Sequence, residues 1–383
     1  MRDAASGRWQ VRATRQIEYD LVTVDDVFDP ANDALLALGR RAGGRRFVVV
    51  DEVVNRQHGA RIRSYFDHHR IDARVVAFPG GESGKTLENW QRVIRELDRF
   101  PIRRREEPIL AIGGGVLTDV VGFVASSYRR GVPHIKVPTT LMGYVDASVG
   151  IKTGVNFNGY KNRLGSFEPP ARVLLDRRLL ATLDRRHLQN GMCEIIKLAV
   201  IKDAALFRLL ESHGRASLAA AFQNAPDGEI LDRAIGGMLE ELAPNLFEDE
   251  LARKVDFGHT FSYGLETRFE ERLLHGEAVL LDILSSTMIA RERALIGADD
   301  AARILALVSD LGIVPAVELL DAELMWQSLA DRIEHRNGAQ RVPLPAGIGE
   351  CVFANDISRA EIAASIDILK AWMTPDHERI AQC

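Results

Sequence analysis

Glu194 and Lys197 stand three residues apart in a segment, about Gln189 to Lys202, whose apolar spacing predicts a helix. They therefore share one helical face. His259 lies in Asp256-Phe257-Gly258-His259-Thr260, and His275 in Leu274-His275-Gly276-Glu277. One carboxylate and two imidazoles from three predicted helical segments make a three-ligand set with a position left for a substrate oxygen. That is the donor pattern of a catalytic zinc rather than a structural one. The chain holds ten histidines, so on residue type alone two that neighbour glycines also fit coincidence.

A second group of residues could hold a nucleotide. Ile112 ends an apolar run and Gly113-Gly114-Gly115 follows at once, with Asp119 in the next helical pattern. Glycines at a strand-to-helix turn let the backbone approach a pyrophosphate, and the helix N-terminus supplies aligned N–H groups. A plain tight turn would read the same way, because the run is not a GxGxxG fingerprint. Asp51 closes an earlier apolar run, Glu82 and Lys85 follow Gly80-Gly81, and Thr139-Thr140 follow Ile135-Lys136-Val137-Pro138. All fall at expected carboxyl ends of strands, where open α/β sheets bind ligands. Taken together they favour a dinucleotide site.

A third group runs from Asp146 to Asn162, where Asp146, Lys152, Asn156, Lys161 and Asn162 alternate with glycines and small apolar residues. Ammonium groups bind phosphate as point charges, and Asn and Asp read hydroxyls. The run suits a phosphorylated, polyhydroxylated ligand; a charged turn is the plainer alternative. Arg129-Arg130-Gly131 fits either a second phosphate contact or a solvated helix end.

The elements that must position these groups divide the chain in two. Up to about Pro170, apolar runs at 46–51, 73–78, 108–112 and 135–138 alternate with helical patterns at 86–97 and 118–127, which predicts a parallel α/β sheet. The stretch from about Trp9 to Val24 reads as a strand pair adding an antiparallel edge. From Arg185 to Leu311 strands almost vanish and amphipathic helical patterns such as 278–295 follow one another. Short strands return at 341–345 and 350–353, and a closing helix is capped by Ser358 with Glu361. The expected architecture is a Rossmann-like α/β domain, residues 1–172, and an all-α domain, residues 173–383, with the site between them.

At 383 residues the chain exceeds one ordinary core. A net charge of −5 gives no basic footprint, which argues against nucleic acid. Three scattered cysteines indicate a reducing compartment. The first residues lack a signal-peptide core and no apolar run would span a bilayer. A cytoplasmic protein without membrane contact is expected.

With GGGVLTDVVGFVASSYRRG, VPTTLMGYVDASVGIKTGVN, KNRLG, CEIIK, GHT and LHGEAV in this order, the chain resembles the dehydroquinate synthase superfamily of sugar-phosphate cyclases from about Phe47 to Pro345. The resemblance implies NAD and Zn2+, with Co2+ able to stand in, and a homodimer. By motif it implies Glu194, His259 and His275 as zinc ligands. It puts Asp51, Glu82, Lys85, Gly114, Gly115, Asp119, Thr139, Thr140, Lys161 and Thr182 around NAD. Asp146, Lys152, Lys161, Asn162 and Lys197 would face NAD or substrate, and Arg130 would reach substrate phosphate across the subunit interface.

The departures from dehydroquinate synthases bear on substrate. Their LNxGHTxxHAxE segment has an arginine four residues before its asparagine; here these positions are Ala252 and Asp256, and the later histidine is Tyr263. Arg253 is adjacent, but one step along a helix would turn it about 100° away. A lysine of the family falls near Met238, and the late DKK becomes Glu334-His335-Arg336. Loss of a guanidinium that would pair a substrate carboxylate implies a neutral hydroxymethyl end, as in sedoheptulose 7-phosphate, because an unpaired desolvated charge costs about 2–5 kcal/mol. With Asp256 and His335 the pattern resembles the cyclases that form 2-epi-5-epi-valiolone for C7-cyclitol natural products. Formation of 2-epi-valiolone is the alternative, since Tyr263 stands where proline is usual. Dehydroquinate formation and NAD-dependent polyol oxidation are more distant ones.

Overall fold

The computed structural model describes residues 2–3, 8–36 and 44–373. A two-residue antiparallel pair, β1 (Arg2–Asp3) and β2 (Arg8–Trp9), precedes the main sheet. That sheet is formed by β3 (Asp20–Thr23), β4 (Arg45–Asp51), β5 (Asp72–Phe78), β6 (Ile109–Gly113), β7 (His134–Pro138) and, after a hairpin, β10 (Arg172–Leu175). Its order is β3-β10-β7-β6-β4-β5 and every pairing in it is parallel. The expected antiparallel edge near the N-terminus is therefore corrected. Residues 10–19 contain no glycine or asparagine from which a tight hairpin could turn, and β3 instead adds to the edge beside β10. β10 also runs across the expected division at 172/173.

Alternation along β4 explains why both faces of the sheet are covered. Val48 and Val50 pack with Val54, Ile62 and Phe66 of helix α1 (Glu52–His68). Phe47 and Val49 pack on the opposite side with Val93 and Leu97 of α2 (Leu87–Arg99) and Val120, Val121 and Val124 of α3 (Gly115–Ser127). Parallel strands buried on both faces read as continuous apolar runs, which is why these strands were predictable. The hairpin of β8 (Lys152–Phe157) and β9 (Tyr160–Phe167) lies on α3, where a Cβ at Gly122 would come within 2.4 Å of Thr153.

The rest is helical: α4 (Arg185–Ile201), α5 (Ala204–Ala219), α6 (Asp227–Leu242), α7 (Ser262–Arg268), α8 (His275–Glu292), α9 (Ala298–Asp310), α10 (Ala322–His335) and α11 (Arg359–Met373). A hairpin of β11 (Val342–Pro345) and β12 (Cys351–Ala354) precedes α11. Ser358 and Glu361 form the expected reciprocal cap at the start of α11. Helix α8 is not amphipathic as expected but buried from Ala278 to Ala290, with other helices packed around it. Among the described residues no helix is long and apolar enough to cross a membrane.

Candidate active site

Three close backbone approaches bring the metal-type residues together. A Cβ at Gly191 would lie 2.5 Å from the Leu141 side chain and 2.6 Å from Met142 N, so α4 rests against the turn after β7. A Cβ at Gly276 would lie 2.0 Å from the Asn190 carbonyl oxygen, and Gly276 N donates to Asn190 Oδ1 at 2.7 Å. This seats the start of α8, with His275, beside Glu194. Gly258, at φ +78°, turns the chain so that its Cα faces Val279 and Ile283, which delivers His259 to the same point. His259 sits in this turn, not on a helix as expected. We expect Gly276→Ala to force α4 and α8 apart, costing about 1–3 kcal/mol and weakening zinc retention; a melting curve with and without zinc checks this.

The Glu194, His259 and His275 donor atoms all lie within 4.8 Å of one another. Glu194 Oε1 is buried without a hydrogen-bond partner, 3.4 Å from His275 Nε2 and 3.7 Å from His259 Nε2. His259 Nδ1 is 3.1 Å from the Phe257 carbonyl oxygen, to which only an N–H can donate, so Nε2 is left as the lone-pair atom. Burial pushes the His259 pKa down to about 3, which keeps the imidazole neutral. His275 Nδ1 faces Glu266 Oε2 at 3.2 Å and likewise turns Nε2 toward Glu194. An orphaned carboxylate oxygen met by two imidazole Nε2 atoms, each oriented through Nδ1, fits a zinc ion.

Lys197 contacts Glu194 Oε2 and stands 3.9 Å from Asp146 Oδ1. Burial opposes ionisation of Glu194, but Lys197 and the two imidazoles outweigh it and hold the carboxyl far below the usual range. Burial dominates at Asp146 and raises its pKa, helped by the Glu194 charge. Asp146 lies on a π-helical turn, Gly143–Ala147, and Lys136 of β7 donates to the Gly150 carbonyl 3.1 Å away, just beyond that turn.

On the sheet side, Asp51, Glu82, Lys85, Gly114, Gly115, Asp119, Thr139 and Thr140 gather at the carboxyl ends of β4 to β7. Counted from β4 to β10, the strand order reverses between β4 and β6, the switch point where such sheets bind ligands. The glycines there form a cradle that Cβ atoms would fill: one at Gly114 would lie 3.0 Å from Thr140, one at Gly115 3.0 Å from Ala147, and one at Gly80 2.4 Å from Asp51 Oδ2. This close backbone access fits a dinucleotide. Lys85 donates to Asp119 Oδ2 at 2.7 Å, and Glu82 accepts from Asn156 Nδ2 at 2.7 Å. Asp51 caps α1 through Val53 N and Val54 N.

Lys161 pairs with Glu266 at 2.8 Å, which links the polar run to His275. Lys152 pairs with Glu248. Asn162, Thr182, Arg130 and His335 are exposed and stand outside the buried cluster. Tyr263 donates to the Lys161 carbonyl at 2.8 Å.

One expectation is overturned. Arg253 does not turn away from Asp256, because Arg253 has an extended backbone (φ −117°, ψ 128°) and a single 3-10 turn follows it. Its guanidinium pairs with Asp256 Oδ1 and with Glu248, while Arg336 reaches Asp256 Oδ2 at 3.2 Å. Arg336, not its exposed neighbour His335, meets Asp256 in this chain.

Sequence reasoning also left Glu266, Asp282, Glu248 and Arg336 unassigned. Asp282, fully buried in α8, accepts from Thr260 N, Phe261 N and Ser262 N at 2.8, 2.5 and 3.0 Å and so fixes the turn bearing His259. A lone carboxylate in the apolar run 278–284 was its signal.

Residues 75–190 match the 3-dehydroquinate synthase N-terminal family and residues 191–334 its C-terminal counterpart. A 2-epi-5-epi-valiolone synthase of an Actinoplanes species is 49% identical over 371 residues, 95% of this chain and 93% of that protein. One from Streptomyces albus is 48% identical over 375 residues, 96% and 91% of the two chains. The 2-epi-5-epi-valiolone synthase of Streptomyces hygroscopicus subsp. jinggangensis 5008, solved with NAD+ and Zn2+ bound, superposes with a TM-score of 0.91 at 42% identity, covering 95% of this chain and 99% of that one. With both halves matched in order and relatives nearly half identical along almost its full length, this chain belongs to the 3-dehydroquinate synthase family.

Proposed function

We propose that the protein is a lyase that cyclises sedoheptulose 7-phosphate to 2-epi-5-epi-valiolone with loss of phosphate, using NAD and zinc. The observation that carries this reading is the Glu194–His259–His275 triad beside Lys197, in a chain nearly half identical to proteins named for that product. Zinc would be held by the triad and NAD by the glycine cradle between β4 and β6. Once bound, they would supply Lewis-acid polarisation and reversible hydride transfer at a ring carbinol, which acidifies the neighbouring C–H for phosphate loss.

The remaining work falls to the chain. Lys197, between Glu194 and Asp146, holds positive charge where a substrate oxygen would gain negative charge. Asp146, with its pKa raised by burial, is suited to move a proton. Lys152, Asn162 and Lys161 lie on the β8–β9 hairpin and would bind phosphate and hydroxyls. Glu266 orients His275 and anchors Lys161 at once. Asp256 keeps lone pairs to accept from a hydroxymethyl group while bonded to both arginines, since a carboxylate offers about four acceptor sites. We assign nucleotide binding to the α/β part through β10 and metal binding to the helical part from α4. The working form is a cytoplasmic homodimer in which Arg130, exposed on one subunit, reaches the partner's substrate phosphate, and its product feeds C7-cyclitol antibiotic biosynthesis.

Purified protein given sedoheptulose 7-phosphate, NAD and zinc is expected to release phosphate without net NADH, because each hydride taken is returned. NMR of the product reads its stereochemistry. Stoichiometric NADH would mark a polyol dehydrogenase and overturn the reading.

A further inference from the structure

We propose that Glu248 and Asp256 set the choice between neutral and carboxylate-ended sugar phosphates by occupying the guanidinium of Arg253. The inference rests on the sugar-phosphate reading above and extends it to the residues that exclude the acid. Dehydroquinate synthases have an arginine at the position of Ala252, and the loss of that arginine alone would suggest a site without a cation there. The structure restores one from the next residue. Arg253 is only 14% exposed; its Nη2 donates to Asp256 Oδ1, and its Nη1 is in ion-pair contact with Glu248.

The arrangement is continuous with the metal cluster. Glu248 also pairs with Lys152, Arg336 holds the second oxygen of Asp256, and Asp256 lies close enough to Lys197 to act on its charge. Three cations, Lys152, Arg253 and Arg336, thus share two carboxylates. With both carboxylates in place, an incoming carboxylate meets cations whose charges are already paired, and it meets Asp256 as a like charge. A hydroxymethyl group meets neither obstacle. Glu248, whose carboxylate meets both Lys152 and Arg253, has φ +59°, a backbone conformation that residues other than glycine rarely adopt.

The test compares wild type with Glu248→Gln/Asp256→Asn. Both amides keep an acceptor oxygen and remove the charge. With zinc and NAD bound, calorimetry measures binding of 3-deoxy-arabino-heptulosonate 7-phosphate, and phosphate release is followed on this acid and on sedoheptulose 7-phosphate. The double variant is expected to bind the acid about tenfold or more tightly, the scale of one charge-assisted hydrogen bond. Its rate ratio should shift toward the acid by a similar factor. Adding Arg253→Met should abolish both gains, which a general loosening of the site would not. A folded, zinc-loaded double variant whose affinity for the acid is unchanged, or whose gain survives Arg253→Met, overturns the inference. Wild type inactive on sedoheptulose 7-phosphate would instead overturn the proposed function, and the binding comparison would still judge the role of Arg253.

Discussion

Replacing His259 with alanine is expected to leave a folded protein that retains no zinc and has no measurable turnover. His259 occupies a turn, its side chain is 21% exposed, and its polar contacts are one backbone carbonyl and the face of Glu194. Its loss removes little packing. It does remove one of the two imidazoles that meet Glu194 Oε1, an oxygen that no hydrogen bond satisfies. Glu266→Gln makes the graded comparison, because Glu266 touches His275 from behind rather than the metal position. Changes to such outer partners cost roughly 10–100-fold in metal affinity or activity, and the alanine variant should fall well beyond that range. Metal content by mass spectrometry, with melting of the metal-free proteins as the folding control, checks the assignment. Stoichiometric zinc and full turnover in His259→Ala would remove His259 from the ligand set.

The second large effect is expected at Asp282, which touches neither metal nor substrate. Helix α7 starts without a side-chain cap of its own, and the first N–H groups of a helix need acceptors from elsewhere. A single oxygen of Asp282 accepts from Ser262, the first residue of α7, and from Thr260 and Phe261 just before it, and its other oxygen accepts from Ser286. Asp282→Ala would leave three buried donors unmet at about 1–3 kcal/mol each. The sum is comparable with the whole stability of many domains, about 5–15 kcal/mol. Low soluble yield or a sharply lowered melting temperature is expected, with loss of zinc in whatever folds. Asp282→Asn keeps an acceptor oxygen and should fall between the two. An alanine variant that melts with wild type would mean the turn carrying His259 is held by other contacts.

These two residues mark where the sequence was readable and where it was not. His259 announces itself through its GHT motif, and inner strands such as β4 and β6 announce themselves as apolar runs. Asp282 shows only as a lone carboxylate in an apolar run, and what it holds stays hidden, because its three partners lie about twenty residues away and are backbone atoms. The edge strand β3 is hidden for a related reason. It is four residues long, with only Leu21 and Val22 half-buried, so its parallel pairing follows from β10 rather than from its own sequence. A helix at Ala252–Asp256 would turn the Arg253 side chain away. One extended residue there changes which way a guanidinium points, and with it the charge around Asp256.

The pairing of β3 with β10 also constrains how the chain is made. Asp20 and Arg172 are partners 152 residues apart, and among the described residues β3 has no other strand beside it. At synthesis rates of about 5–20 residues per second, the segment around Leu21 and Val22 waits roughly 8–30 s before its mate has even been polymerised. Strands β4 to β7 can associate during that interval, so the nascent sheet grows outward from its centre and receives its first-made strand last. Until then the outer side of β7 is an open template, which makes the ribosome-bound intermediate, rather than the finished enzyme, the form most exposed to pairing with another chain.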